Sequence, residues 1–408
     1  MKCRHCLAEL RLCFLDLGSA PPSNAYLAPD RLAAPEIWFP LRLLVCESCW
    51  LVQTEDHAGR EALFTNDYAY FSSYSSSWLD HSRRYVQAMT ERLSLGPHSL
   101  VAEVAANDGY LLQYLHQGGI PCYGVEPTAS TAAAARAKGI EIIEDFFGVA
   151  LADGLSTAGR QVDLVAANNV LAHVPDINDF VAGFAWLLKP DGVATFEFPH
   201  LLRMVQHIQF DTAYHEHYSY LSLTSVLTVF EANGMAVFDV EELSTHGGSL
   251  RVHAQRRDSG RRAVTDAVVA LVAGERAAGM ASAGFYRGCQ SNAEKVKDEF
   301  LSFLLDAKRQ GLRVGAYGAA AKGNTLLNFA GVRPDLLPYV ADRNPAKQGR
   351  YMPGSRIPIV PEAHLRSERP DIVVVLPWNL RDEVSAQLRY AKDWGAQFAV
   401  AVPCLETW

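Results

Sequence analysis

No stretch of the 408-residue sequence stays apolar over the about 18 residues that a bilayer span requires. The Met1-Lys2-Cys3 start carries no signal-peptide pattern, so the expectation is a cytoplasmic protein that does not enter a membrane. Positive charge is also in short supply. The net charge is -8 and the pI is near 5.9, whereas binding to phosphate backbones needs a basic face, so no nucleic-acid partner is expected. Only eight cysteines are present, and in a reducing compartment they should be thiols or metal ligands rather than disulfides. The Gly-x-Gly-x-x-Gly fingerprint of dinucleotide sheets is missing from the first strand–turn–helix unit.

What is present is an ordinary globular composition, 49% hydrophobic and 20% charged, on a chain long enough for two or three domains. Four of the cysteines form two Cys-x-x-Cys turns, Cys3 with Cys6 and Cys46 with Cys49. Each turn aims two thiolates at one ion, and together they complete a tetrahedral zinc site with no open position. Such a zinc is structural. A redox role is disfavoured, because neither pair sits where a strand feeds a helix.

From residue 98 the pattern alternates strand and helix, which predicts a parallel doubly wound α/β sheet. Residues 262–310 are helical in pattern, with Phe285, Val296, Phe300 and Phe303 on one stripe. A second, smaller alternating unit follows from residue 312.

The turn after the first strand, "EVAANDG" (103–109), has a single glycine, and Glu103 and Asp108 oppose a diphosphate. They suit an amine or a sulfonium. Glu126, which ends the second strand beside Pro127, can accept both hydroxyls of a ribose. In "EDFF", Asp145 offers a carboxylate to an adenine amino group, and the aromatics from Phe146 onward offer a stacking face. An adenine, a ribose and a cationic amino-acid tail describe S-adenosylmethionine (SAM). Ala105, Asn107 and Gly109 would line the turn, and Asn168 and Asn169 would approach the methionine tail. Ser72 and Ser73 either bind its carboxylate or cap a helix. The competing reading is an NAD-type or unligated sheet.

These motifs, in their order, resemble a known family: the zinc-containing, SAM-dependent C-methyltransferases of deoxysugar biosynthesis, of the nucleotide-ketosugar C-3 type. The marks are the two Cys-x-x-Cys pairs, "DYAYFSSYS", "EVAANDGYLL", "GVEP", "NNVLAHV", "FDTAYHEHYSY", "HGGSLR" and "GAYGAAAKGNTLLN". Ala105 departs from the family, where a glycine is common. The resemblance implies a zinc-binding domain at 1–66 and a central Rossmann-like SAM methyltransferase domain at 67–257. A helical lead-in and a smaller Rossmann-like α/β domain would fill 258–408. It implies a nucleotide-diphosphate ketosugar as substrate, and the chain is expected to be a monomer or weak homodimer.

Methylating a carbon requires a carbanion, which a sugar gains only by losing a proton next to a ketone. A base and an oxyanion partner are then needed. "TAYHEHYSY" (212–220) offers candidates for both. In a strand His215 and His217 would share a face; in a helical turn Tyr214, His217 and Tyr218 would converge. The resemblance places function on Tyr214, Glu216 and His217. His217 is then the base, Glu216 its electrostatic partner or a sugar-hydroxyl ligand, and Tyr214 an oxyanion or hydroxyl contact. A metal at His215 and His217, or a merely solvated loop, are the other readings. His173 is a second candidate for polarising the ketone, and Tyr68 resembles the family tyrosine that reaches the site from the linker, with Tyr70 an equal candidate by pattern. In the last unit Gly318, Lys322, Asn324 and Asp342 are expected to hold the nucleotide diphosphate. An O- or N-methyltransferase would need no oxyanion partner, and a scaffold would need no intact turn.

Overall fold

The computed structural model describes residues 1–57 and 71–408; Tyr68 and Tyr70 lie outside them. Three sheets organise the chain. The first runs β1 (Leu12–Ala20), β2 (Phe39–Val45), β3 (Val52–Thr54) and β9 (Ser219–Tyr220), in that order. Its fourth strand comes from 165 residues further along the chain than β3 (219 against 54) and pairs antiparallel, Val52 with Tyr220 and Gln53 with Ser219.

The second sheet has seven strands. Their order is β10 (Met235–Leu243), β11 (Ser249–Arg256), β8 (Leu188–Pro199), β7 (Val162–Asn168), β4 (Val101–Val104), β5 (Cys122–Val125) and β6 (Glu141–Ile143). Strands β4 to β8 are parallel, while β11 runs antiparallel between β8 and β10. Helices cover both faces, so β4 and β7 read as nearly continuous apolar runs rather than alternating ones. Strand order reverses between β4 and β7, which opens a crevice at their carboxyl ends.

The third sheet is ordered β14 (Ile359–Val360), β13 (Val340–Ala341), β12 (Val314–Tyr317), β15 (Ile372–Val375), β16 (Gln397–Val400) and β17 (Glu406–Thr407). The helix Cys289–Arg309 leads into it, with Val296 and Phe300 buried and Phe303 packed at the margin. The first and third sheets share one core. Phe14, Leu43 and Val45 of the first sheet pack with Tyr286, Phe300 and Val314, and the Trp50 ring stacks on Tyr286 at 5.9 Å. Among the described residues, no helix is long and apolar enough to cross a membrane.

Candidate functional site

The two Cys-x-x-Cys turns close in the same way. Leu7 N donates to Cys3 O and Trp50 N to Cys46 O, with Leu7 and Trp50 in the left-handed region. The turns meet face to face, Cys3 Sγ 3.6 Å from Cys49 Sγ and Cys6 Sγ 3.5 Å from Cys46 Sγ. Four thiolates at the usual zinc–sulfur distance sit about 3.8 Å from one another, and all four sulfurs here lie within 4.8 Å. The Cys49 thiol holds Cys3 low by hydrogen bonding to its sulfur, while the same contact and burial push Cys49 up. Such a crowded thiol set fits a metal that takes over the protons.

At the crevice of the second sheet, the turn after β4 places Ala105 (φ 59°), Asn107 (φ 49°) and Gly109 (φ 74°) in the left-handed region. That explains why a glycine would be at ease where Ala105 stands: an L-residue there costs about 1–2 kcal/mol. Gly109 is required on a second ground, since a Cβ would come 2.5 Å from Ile140 Cδ1. Glu126 braces the turn, accepting Asn107 N at 3.0 Å and Thr128 N at 2.9 Å. Burial raises its pKa.

Glu103 is fully buried, and neither of its carboxylate oxygens makes a hydrogen bond of ordinary geometry. Burial raises its pKa well above the carboxylate range, with the neighbouring Tyr110 hydroxyl opposing. Asp108 Oδ1, Asn168 Oδ1 and Asn169 Oδ1 are likewise buried without partners among the described residues. Buried polar groups are normally satisfied. This cradle of carboxylate and amide oxygens fits a cationic ligand with donor groups, as SAM is.

Three details differ from expectation. Ser75, rather than Ser72 or Ser73, caps the helix Ser76–Leu93. Ser72 N instead donates to Asn107 Oδ1, and Ser73 Oγ accepts from Lys138. Asp145 is exposed and accepts from the N–H of Phe146, while Phe147 packs on Phe180 and Phe184 in the core, so of the two phenylalanines only half-buried Phe146 faces outward.

The loop before β9 forms a tight turn, His217 N donating to Tyr214 O at 2.9 Å. It is neither strand nor helix. The His217 ring lies 3.9 Å from the Tyr214 ring and 4.6 Å from the His173 ring. His217 Nδ1 donates to Thr212 O at 3.0 Å, which makes Nε2 the lone-pair nitrogen. His173 Nδ1 donates to Glu216 O at 2.8 Å. Burial lowers the pKa of His217 well below 6.5 and that of His173 to about 4. The Glu216 carboxylate accepts from the backbone and side chain of Asn24 at 3.1 and 3.3 Å, and its other oxygen is buried without a partner. It therefore joins the loop to the first sheet's long connection instead of holding the imidazole. His215 turns to Pro40 O and the Phe39 ring, so it shares no face with His217. Among the described residues, the four cysteines are the one cluster of three or more potential ligands.

The third sheet's unit reaches the same loop. Thr325 Oγ1 donates to Ala213 O at 2.7 Å, and Trp378 Nε1 to Asp211 Oδ2 at 2.7 Å. Asn324 is fully buried with both amide atoms unpartnered. The glycine-rich turn is occupied by protein: Gly318 N donates to Ala341 O, Ala319 N to Asp342 Oδ2 and Ala320 N to Gly318 O. Lys322 Nζ donates to Asn379 Oδ1.

The sequence reading missed His246, Trp78 and Trp378 at this site. His246 is held at φ 53° inside "HGGSLR", packs its ring at a tilt 5.5 Å from that of Trp78, and has its pKa lowered to about 4, chiefly by burial. A Cβ on the neighbouring Gly247 would strike Trp378. Two adjacent glycines after a histidine were the available signal. Behind them His81 and Arg251 both pair with the buried Glu197, at 2.8 and 2.7 Å.

Comparisons with known proteins cover the chain in three blocks. A domain family described as zinc-binding matches residues 3–64, a methyltransferase domain 78–240, and a C-methyltransferase C-terminal domain 244–403. The C-methyltransferase NovU of Streptomyces niveus is 33% identical over 402 residues, 98% of this chain and 95% of that protein. Among solved structures, the SAM-bound magnesium protoporphyrin IX methyltransferase of Synechocystis PCC 6803 is 18% identical over 44% of this chain and 78% of its own, with a TM-score of 0.33. YcgJ of Bacillus subtilis is 14% identical over 44% of this chain and 99% of its own, with a TM-score of 0.35.

Proposed function

The chain belongs to the zinc-containing, SAM-dependent C-methyltransferases, and on that premise we propose that it methylates a carbon next to the ketone of a nucleotide-linked sugar, through an enolate. The observation that carries this reading is the His217 ring. Its Nδ1–H is committed to Thr212 O and burial keeps it neutral, so Nε2 is a standing proton acceptor between Tyr214 and His173. Transfer to an oxygen or nitrogen would also use a base, but would not call for a donor such as Tyr214 to hold an enolate oxygen beside it.

When bound, SAM supplies an electrophilic methyl group. Glu126 would hold its ribose, while Glu103, Asp108, Asn168 and Asn169 would receive its cationic amino-acid end; Ala105, Asn107, Gly109, Pro127, Ser73, Asp145 and Phe146 would line the remaining wall. His217 Nε2 would take the substrate proton. Tyr214 flanks it as a donor, while His173, neutral and with its Nδ1–H spent on Glu216 O, presents a second lone pair at Nε2; Glu216 fixes the loop through Asn24. The nucleotide would lie along the third sheet's unit, near the unsatisfied amide of Asn324. Incubation with SAM and a panel of nucleoside-diphosphate ketosugars should give a product one methyl heavier, with the new group on carbon by NMR. A methyl found on oxygen or nitrogen would defeat the reading.

In Glu126→Ala, SAM affinity should fall. The charge-assisted hydrogen bonds to ribose are worth roughly 1.5–3 kcal/mol each, and the turn also loses its brace at Asn107. Unchanged affinity by calorimetry would mean that the cofactor sits elsewhere.

A further inference from the structure

Lys322 sits on the helix Ala321–Phe329, one turn before Thr325, so both share a face. Thr325 anchors that face on Ala213, the residue before Tyr214. The Lys322 ammonium donates to Asn379 Oδ1 at 2.8 Å and stands 4.4 Å over the Trp378 ring. Among the described residues, no carboxylate comes within ion-pair distance of it. Asp211, the nearest acid, spends Oδ2 on the Trp378 indole and keeps Oδ1 buried without a partner. An ammonium has three donors; half-buried Lys322 spends one on Asn379 and can turn the others toward a ligand.

A diphosphate is the obvious occupant for a lysine beside a glycine-rich turn, but the surroundings oppose it. The amides of Gly318, Ala319 and Ala320 are taken, and the Asp342 carboxylate itself fills the turn. Asp211 adds a second negative group on the loop side. A single developing charge suits this place better than a dianion. The loop on which the lysine's helix rests is the one that carries the base. We propose that Lys322 donates a hydrogen bond to the ketone oxygen of the substrate as that oxygen becomes an enolate, and that it is not a phosphate ligand.

The step balances. The carbon next to the ketone gives its proton to His217 Nε2, the C–H pair becomes the carbon–carbon π bond, and the carbonyl π pair moves onto oxygen. Lys322 stays protonated throughout. Its charge also lowers the basicity of His217, after burial and His173, so the same cation weakens the base and acidifies the carbon. The second effect dominates where the oxygen lies nearer the ammonium than the imidazole does.

The inference rests on the ketosugar reading, and the test separates the two. In Lys322→Met, loss of deuterium from the reacting carbon into water, followed without SAM, should slow by about 10²–10³, the cost of one oxyanion donor. Affinity for UDP and dTDP should hold, and Lys322→Arg should recover part of the exchange. Exchange at the wild-type rate, or a loss of nucleoside-diphosphate affinity in place of exchange, would overturn the proposal. A second readout needs no substrate. His217 titrates among His173, His246 and Lys322, so removing the lysine charge should raise the pH at which its ring NMR signal shifts. An unmoved titration would place Lys322 away from the base and overturn the proposal. If the wild type exchanged no ketosugar while that titration moved, the ketosugar reading would fail and the lysine's position beside the base would stand.

Discussion

Replacing His217 by asparagine should abolish methyl transfer and, separately, stop the washout of substrate deuterium into water. Asparagine keeps much of the shape and a donor for Thr212 O, yet cannot accept a proton at neutral pH. Loss of a positioned general base costs about 10²–10⁴ in rate. Binding of SAM should survive, because the ring's aromatic neighbours among the described residues are Tyr214, His173 and Tyr220, none of them in the turn after β4. Tyr214→Phe should cost less, since the imidazole remains. The wild-type pH profile should carry the same signature. The active form is the neutral ring, and burial lowers its pKa well below 6.5. Activity should therefore persist below pH 6.5 and fall only as pH drops through that lowered value. If His217→Asn exchanged the proton normally while a His173 or Tyr214 variant did not, the base would be one of those residues.

Loss of the zinc should be nearly as damaging, by another route. In Cys46→Ser, Cys49→Ser, zinc measured by mass spectrometry should drop from about one per chain to near none. The melting temperature should drop with it, since structural zinc contributes about 10–16 kcal/mol in small zinc modules. Cys46 and Cys49 form part of the turn that joins β2 to β3, and β3 is the strand that receives β9. Thr54 at its end donates its hydroxyl to His217 O at 3.0 Å and its N–H to Tyr218 O. Methyl transfer should therefore suffer more than SAM affinity. Full zinc content in the double variant would refute the site.

The zinc ligands and the alternation of the two α/β units were legible because both are local. A Cys-x-x-Cys turn is four residues long, and a strand or helix announces itself within a dozen. The turn "EVAANDG" was legible for the same reason, although its left-handed backbone at Ala105 was not. What escaped depends on distant partners. Nothing in "TAYHEHYSY" shows that Tyr220 pairs with Val52, or that Glu216 meets Asn24 instead of its neighbour His217. Phe146 and Phe147 are alike in sequence, and only the position of Phe180 and Phe184 sends one inward. That the helix carrying Lys322 rests on the base loop, through Thr325 and Ala213, is likewise not written in its glycine-rich local context.

The core shared by the first and third sheets sets an order of events on the ribosome. Phe14, Leu15 and Leu17 have their apolar partners on Tyr286, Phe300 and Val314. At about 5–20 residues per second, some 300 residues of synthesis leave that face uncovered for about 15–60 s. The strands made first are thus among the last to be buried, and they must be shielded while the rest is translated. Fragments ending before the helix Cys289–Arg309 should come out as aggregates even with every cysteine ligand in place.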